Sequence, residues 1–596
     1  MSRVDFSERI NSNISKEALL KKSSDRMSTF RLTEFLAGSA LCYFCFRYLN
    51  AAAGWGAIIL TLAVFIILVK QHGVIKRALE WERCMNTVNQ EYLDRINGSW
   101  TGFKDNGQEF ADPDHPYTGD LDIFGKQSLF QAINTGKTYY GRTMLKERLI
   151  RPIKDPEQIK RYQNSVREMA GKIDFCQSLQ CEAMQSRQTG SDPHDFIAYA
   201  EDQNPLFKNK QWENPFYILP AATVLSIAFA SLGLLIPSGV PVLLCAVQII
   251  IMLFSNKKLN PIFSSVGKFK DEIMTFGNMI KRIEDEDFKD PVLLELKGRL
   301  SGGSKKTSRH LKKMVNIAEA MDIRYSPMLR FLLNMLFLWD YHCVFAINEW
   351  KKQNGSLIKR WIESTGEFEM LSSLAVPLVA HPDWTFPLFT ATGSGVTAEE
   401  LGHVLIPDEK RVCNDIAIKN QILVITGSNM SGKTTLLRTI GINLVLAYTG
   451  APVCAKAMTC SIMDIYTSMR INDDLNSGIS TFYAELLRMK MIIDRSKNRD
   501  SMIFLIDEIF RGTNSTDRTV GAVKVLKALN KSWIIGLIST HDFELCDLEN
   551  EDRARVRNYH FTESYKGNSI YFDYKLYSGR SETTNARFLM KMVGIE

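Results

Sequence analysis

The stretch QILVITGSNMSGKTTLLRTIG, residues 421–441, limits what this chain can fold into more than any other. A short β-branched run leads into a glycine-bearing turn, and apolar residues at helical spacing follow, so the segment reads as strand, loop and helix. Gly427, Gly432, Lys433 and Thr434 satisfy the spacing G-x-x-x-x-G-K-[ST]. Glycines at those two places let backbone N–H groups converge on phosphate oxygens, and the start of the helix favours the same charge. The expected phosphate loop comprises Gly427, Ser428, Asn429, Met430, Ser431, Gly432, Lys433, Thr434 and Thr435. Lys433 would neutralise the β- and γ-phosphates of ATP, and the Thr434 hydroxyl would ligate Mg²⁺.

Further on, SMIFLIDEIFRGT (501–513) is a second apolar strand ending in two acids. Adjacent carboxylates behind a buried strand need partners. Asp507 is placed to hold the metal shell, and Glu508 to polarise an attacking water. A third strand, WIIGLIST, ends at His541, where a γ-phosphate sensor commonly sits, and Asp542 beside it reads as a solvated acid or helix cap. Three such strands with helices between them predict a doubly wound parallel sheet, with nucleotide at the carboxyl ends of the strands.

Ordinary kinases and GTPases would stop there, but NDDLNSGISTFYAE (472–485) does not fit them. GSNMSGKTT, DDLNSGISTF (473–482), DEIFRGTNSTD (507–517) and STHD (539–542) occur in that order, and together the C-terminal two hundred residues resemble the MutS ATPases. The chain's end, YKLYSGRSETTNARFLMKMVGI, is similar to that family's closing strand and helix. The resemblance implies a homodimer in which Ser480 reaches across to the γ-phosphate held by the partner protomer. A plain helix N-cap by Ser480 or Thr481 is the simpler reading of the same residues, and the two are compatible.

The resemblance extends upstream. HPYTGDLDIFGKQ and its continuation to residue 169 look like the opening of the MutS helical core, and 320–390 like its returning lever. LGHVLIPDEKRVCNDIAI resembles the lead-in to the nucleotide sheet, with Cys413–Ile416 near the adenine. There are departures as well. No mismatch-reading domain is expected ahead of the core, and no C-terminal nuclease-like domain is expected. Phe510 stands where a glycine is usual, and Ser428 where a proline is usual. These changes put DNA recognition in doubt and leave the hydrolytic groups intact.

Two apolar hairpins complete the reading. AAAGWGAIILTLAVFIILV, residues 51–69, carries no charge and is long enough for a hydrocarbon core of about 30 Å. FLAGSALCYFCFRYLN before it has only Arg47, near its end. A second pair, FYILPAATVLSIAFASLGLLI and VPVLLCAVQIIIMLF, has no charge in either limb. Lys and Arg flank the outer ends of both hairpins, which places the rest of a multi-pass membrane protein on the cytoplasmic side. The first limb lies too deep in the chain for a cleaved signal peptide. Apolar runs buried in a soluble core are the alternative. SPMLRFLLNMLFLWDYHCVFAINEWKK shows apolar residues three and four apart, as a helix does.

The expected organisation is an N-terminal segment 1–80 with a transmembrane hairpin at about 35–69, then a linker, 81–114. An all-α helical core spans 115–395, interrupted by the hairpin at about 216–254, and an α/β P-loop NTPase domain of the ABC/MutS type fills 396–596. A net charge of +7 over 596 residues permits DNA or an anionic membrane without demanding either. The eleven cysteines form no regular ladder, and the pair Cys42 and Cys45 has no further metal ligand near it. The functional expectation is a membrane-anchored ATPase coupled to mismatched or branched DNA. A membrane remodelling or transport ATPase without DNA is the alternative, though spans free of acids offer little support for a solute pathway.

Overall fold

A computed structural model describes residues 3–186, 190–202, 210–232, 237, 239–301, 306–390, 393–428, 430–470, 481–510, 515–551, 555–566 and 569–581. The chain divides into two compact units, one of residues 1–135, 145–173 and 371–596, the other of 136–144 and 174–370.

In the first unit, helices Arg3–Tyr48 and Ala51–Ile96 form an antiparallel hairpin. Asn50 makes the turn possible: its backbone is extended and its side chain accepts the Ala53 N–H at 2.8 Å, capping the second helix. Each helix has 46 residues, about 69 Å at 1.5 Å per residue, so an apolar tip continues into a polar stalk. In the stalk Arg83 pairs with Glu17 at 2.8 Å, and Phe6 stacks on Tyr92 at 5.5 Å. Ala51–Ile96 is long and apolar enough to cross a membrane; Arg3–Tyr48 does not meet the same measure. The physical reason is that only the twelve residues between Glu34 and Arg47 are free of charge, about 18 Å of helix.

The nucleotide-binding half of this unit is built on two sheets. The strands are β1 (Leu388–Phe389), β2 (Gly395–Leu401), β3 (Asn414–Lys419), β4 (Ile422–Thr426), β5 (Ala457–Cys460), β6 (Asp464–Ser468), β7 (Met502–Asp507), β8 (Ile534–Ser539), β9 (Val556–Lys566) and β10 (Ser569–Ser578). A four-stranded sheet has the order β1-β5-β2-β3, and a six-stranded sheet the order β10-β9-β4-β8-β7-β6. From β9 to β6 every pairing is parallel, and β10 returns antiparallel on β9.

Every residue of β4, β7 and β8 is buried, which is why these strands read as unbroken apolar runs. Phe504 and Ile506 pack with Ile492 and Leu526 from helices Thr481–Ser496 and Ser515–Leu529. Leu505, on the opposite face, meets Gly441 of helix Lys433–Thr449. Helices therefore cover both faces, and the carboxyl ends of β4, β7 and β8 are left to carry the site.

The second unit is all α. Helices Gly239–Asp285, Thr307–Asp322 and Trp339–Asn354 meet around Val266, Ala318, Met321, Cys343 and Ile347. Helix Gly239–Asp285 is unbroken over 47 residues, from the apolar run into this core. It and the helix spanning Gln211–Ser231 are each long and apolar enough for a membrane crossing. Phe216 stacks on Tyr341 at 4.1 Å at the root of that pair. The run read as helical from Ser326 onward forms two helices, Pro327–Phe337 and Trp339–Asn354, separated where Leu338 adopts a left-handed conformation, φ 48°.

Candidate active site

The phosphate loop joins β4 to helix Lys433–Thr449. Gly427 and Gly432 have φ of 144° and 108°, which suit glycine. Met430, at φ 72° and 83% exposed, stands at the tip. Lys433 is 5% exposed, and its Nζ donates to the Gly427 carbonyl at 2.7 Å and the Ser428 carbonyl at 2.9 Å. Those are the loop's own oxygens, so the lysine is already poised where phosphate oxygens would replace them. The Ser428 hydroxyl donates to Glu563 on β9 at 2.8 Å. Ser431 Oγ is buried without a hydrogen-bond partner among the described residues, an open donor facing the same space.

The acids expected at the end of β7 are there. Thr434 Oγ1 donates to Asp507 Oδ2 at 2.8 Å, and Ser539 at the end of β8 donates to Asp507 Oδ1. Glu508 turns out of the strand with φ 55°, and its backbone N–H donates to the Ser539 carbonyl at 3.1 Å. Its carboxylate meets His541 Nε2 at 3.0 Å, and the same nitrogen lies 3.3 Å from Lys433 Nζ. Lys433, Thr434, Asp507, Glu508 and His541 are therefore one connected group. Asn429, residues 471–480 with Ser480 among them, and residues 511–514 lie outside the described residues.

A cavity of about 880 Å³ opens over this group, with Thr435, Met430 and Ser431 on its wall. Away from the acids it is lined by Leu401, His403, Ile406, Lys410, Val412, Asn414 and Tyr574. Asn414, from the segment expected near the adenine, ties the wall together: its Nδ2 donates to the Tyr574 carbonyl at 2.9 Å and its Oδ1 accepts the Leu576 N–H at 2.8 Å. Burial, with Arg438 nearby, pushes the His403 imidazole down to about 4, so that ring is neutral at ordinary pH. The cavity thus has one end crowded with charged, hydrogen-bonding groups and one that is largely apolar apart from Lys410, which matches a nucleotide's phosphates and base.

The donor set also fits Mg²⁺. Thr434 and Asp507 offer a hydroxyl and a carboxylate oxygen, the hard ligands this ion takes beside phosphate and water. A Cβ at Gly427 would come within 2.9 Å of Ser431 Oγ and 3.1 Å of the Phe561 carbonyl, so the loop is shaped too closely for any side chain there.

Several contributors escaped the sequence reading. Asp542 is not a solvated cap: Arg518 grips it with bonds of 2.9 and 2.6 Å, and it makes no capping bond to the helix it precedes. Asp120 accepts from Thr467 Oγ1 at 2.7 Å and from the Met469 and Arg470 N–H groups at 3.1 and 2.8 Å. Asp122 pairs with Arg438 of the phosphate-loop helix at 2.9 Å. These two acids clip the segment after Pro116 to the end of β6, immediately before the loop that contains Ser480. Alternating acids in TGDLDIF were the available signal; nothing local marked Glu563, and Ser539 stood only as the first residue of STHD, without a role.

Parallel sheet, phosphate loop, strand-end acids and histidine define an ABC-like P-loop ATPase domain. Residues 423–594 match MutS domain V, so this part of the chain is a MutS-type ATPase domain. A DNA mismatch repair protein MutS of Thermotoga sp. (strain RQ2) is 29% identical over 253 residues, 42% of this chain and 31% of that protein. The corresponding protein of Roseiflexus castenholzii is 31% identical over 195 residues, 32% of this chain and 18% of its own length. One from Thermus thermophilus is 27% identical over 254 residues, 42% of this chain and 30% of its own length. The chain therefore spans about a third or less of the length of these relatives.

Proposed function

We propose that this chain is a membrane-anchored, Mg²⁺-dependent ATPase whose nucleotide domains pair as an ATP clamp and drive the helical unit. The observation that carries the reading is the convergence of Lys433, Thr434, Asp507 and Glu508 at one end of a single cavity, with His541 in contact with Glu508 and Lys433. On ATP entry Lys433 exchanges the Gly427 and Ser428 carbonyls for β- and γ-phosphate oxygens. Thr434 and Asp507 would hold Mg²⁺, which supplies charge neutralisation for phosphoryl transfer. Glu508 leaves His541 to take the proton of the attacking water, and His541 then contacts the γ-phosphate. Ser480 completes the site of the partner protomer, so neither site is whole in a monomer.

Lys and Arg at the outer ends of the apolar hairpins support a multi-pass arrangement with the ATPase on the cytoplasmic side. DNA, mismatched or branched, is the ligand suggested by what the similar proteins are named for. Glu508→Gln should retain ATP and accumulate an ATP-bound dimer in size-exclusion chromatography; rapid turnover by that variant rejects Glu508 as the base. Lys433→Ala and Ser480→Ala chains, mixed, should regain turnover above either alone. Turnover of the solubilised protein, with duplex, mismatched and branched DNA at constant salt, then tests the ligand.

One observation favours a second reading, in which the motor acts on the membrane. Helix Gly239–Asp285 passes without a break from the apolar run into the lever core, so a lever stroke moves a membrane helix. Turnover that ignores every DNA form but changes with the bilayer would select this reading.

A further inference from the structure

Helix Pro327–Phe337 is inside out. Its polar residues, Arg330 and Asn334, lie one turn apart and both face the protein. Asn334 is 1% exposed and its Oδ1 accepts the Asp340 N–H at 3.0 Å. Arg330 reaches Asp340 Oδ2 at 3.2 Å and also donates to Asn256. Outward go Met328, Leu329, Phe331, Leu332 and Phe337, between 39% and 69% exposed, with Tyr325 at 80% just before them. A contiguous apolar face of this size marks a contact with something other than water.

The neighbours say what that contact is. The helix packs against Asn214–Ser231 and Gly239–Asp285, which show the same inversion. In that pair Gln248 Nε2 donates to Thr223 Oγ1 at 2.5 Å and Ser226 is buried, while Ile218, Leu225, Leu243 and Ile250 point out. The outer face of Pro327–Phe337 thus continues the apolar belt of the two candidate spans. Exposed Trp212, Tyr325, Lys257 and Lys258 stand at its edge, the residue types that settle at a membrane–water boundary. Eleven residues make about 17 Å of helix, too short to cross about 30 Å of hydrocarbon. An 80° bend at Leu338 then turns the chain away into the following helix.

We propose that Pro327–Phe337 is a third membrane element, a half-inserted helix whose outer face is covered by the acyl chains of the cytoplasmic leaflet. Asp340, 4% exposed between Arg324 and Arg330, offsets one of their two charges, and Asn256 and Asn260 accept hydrogen bonds from the same arginines at the root of the inserted helix. The inference rests on the reading that residues 216–254 span the bilayer. Since the inserted helix is joined to helix Thr307–Asp322 through the turn Ile323–Tyr325 and packs against helix Trp339–Asn354, the bilayer holds the membrane end of the lever where the first ends and the second begins.

The test uses the full-length chain in phosphatidylcholine–phosphatidylglycerol liposomes containing a tagged acyl chain. A benzophenone amino acid replaces Phe331, Leu243 as the spanning control, or Tyr577 as the water-exposed control. Lipid adducts at 331 should approach those at 243 and exceed those at 577 by roughly tenfold. Adducts at 243 with none at 331 overturn the inference and leave the anchor standing. Crosslinks from 331 to a second copy of the chain also overturn it. If neither 243 nor 331 labels and carbonate extracts the protein, the anchoring reading fails as well. Should the Phe331 replacement misfold, Leu332 serves in its place.

Discussion

Single residues show how this domain accommodates strain and burial. Phe510 sits at φ 61°, left-handed backbone that costs a residue with a Cβ about 1–2 kcal/mol and that glycine would adopt freely. The phenyl ring recovers that cost by burial: it is 5% exposed, lies edge-on to Phe482 at 5.8 Å and fills the space left by Gly521, where a Cβ would come within 2.7 Å of it. Phe510→Gly should therefore destabilise the domain, by about 2–3 kcal/mol net, in thermal or denaturant unfolding. Glu272 is a different case. Burial outweighs the attraction of Lys268 and, with Asp195 nearby, raises its carboxyl to about 7. A raised folded-state value means the contribution to stability is complete below the ordinary carboxylate range and is lost as pH rises through about 7. Glu272→Gln should flatten the fall in stability between about pH 4.5 and 7 and gain about 1–2 kcal/mol at pH 8. An unchanged slope would show that Glu272 is ionised throughout.

At the scale of elements, the clip made by Asp120 is the clearest dependency. Three donors converge on one carboxylate at the exit of β6, so Asp120→Asn replaces an acceptor with a donor facing donors and should cost about 2–3 kcal/mol locally. Because that exit leads directly into the 473–482 loop, the expected signature is a fall in kcat with nucleotide binding nearly retained; equal losses in both would place the clip's role in general stability. The helix pair Arg3–Tyr48 and Ala51–Ile96 shows a second device. Its tip carries Arg47 as the one charge between Glu34 and Lys70, and its stalk is held by polar and aromatic pairs such as Arg83–Glu17 and Phe6–Tyr92.

For the whole molecule the question is what the ATPase moves. In the proposed clamp the nucleotide domain closes by pairing with another copy, and the all-α core shares a helix with the candidate spans. If the membrane bears the load, ATP turnover in liposomes should differ from that in detergent by severalfold and should lose that difference when residues 216–254 are replaced by a short polar linker. The same turnover in both settings would uncouple motor from bilayer.

The chemistry of the site was legible because it is local. A phosphate loop needs its glycines, lysine and threonine within eight positions, and strand-end acids need only a buried run before them, so Lys433, Thr434, Asp507, Glu508 and His541 could be read one motif at a time. Long-range partners could not: Glu563 holds Ser428 from 135 residues away, and Asp120 meets Thr467 across 347. The helical period had a further limit. Apolar residues three and four apart in PMLRFLLNMLF say that one face differs from the other, but periodicity is the same whichever face turns outward. Only packing, with Arg330 and Asn334 drawn in by Asp340 and Asn256, decided that the apolar face is the free one.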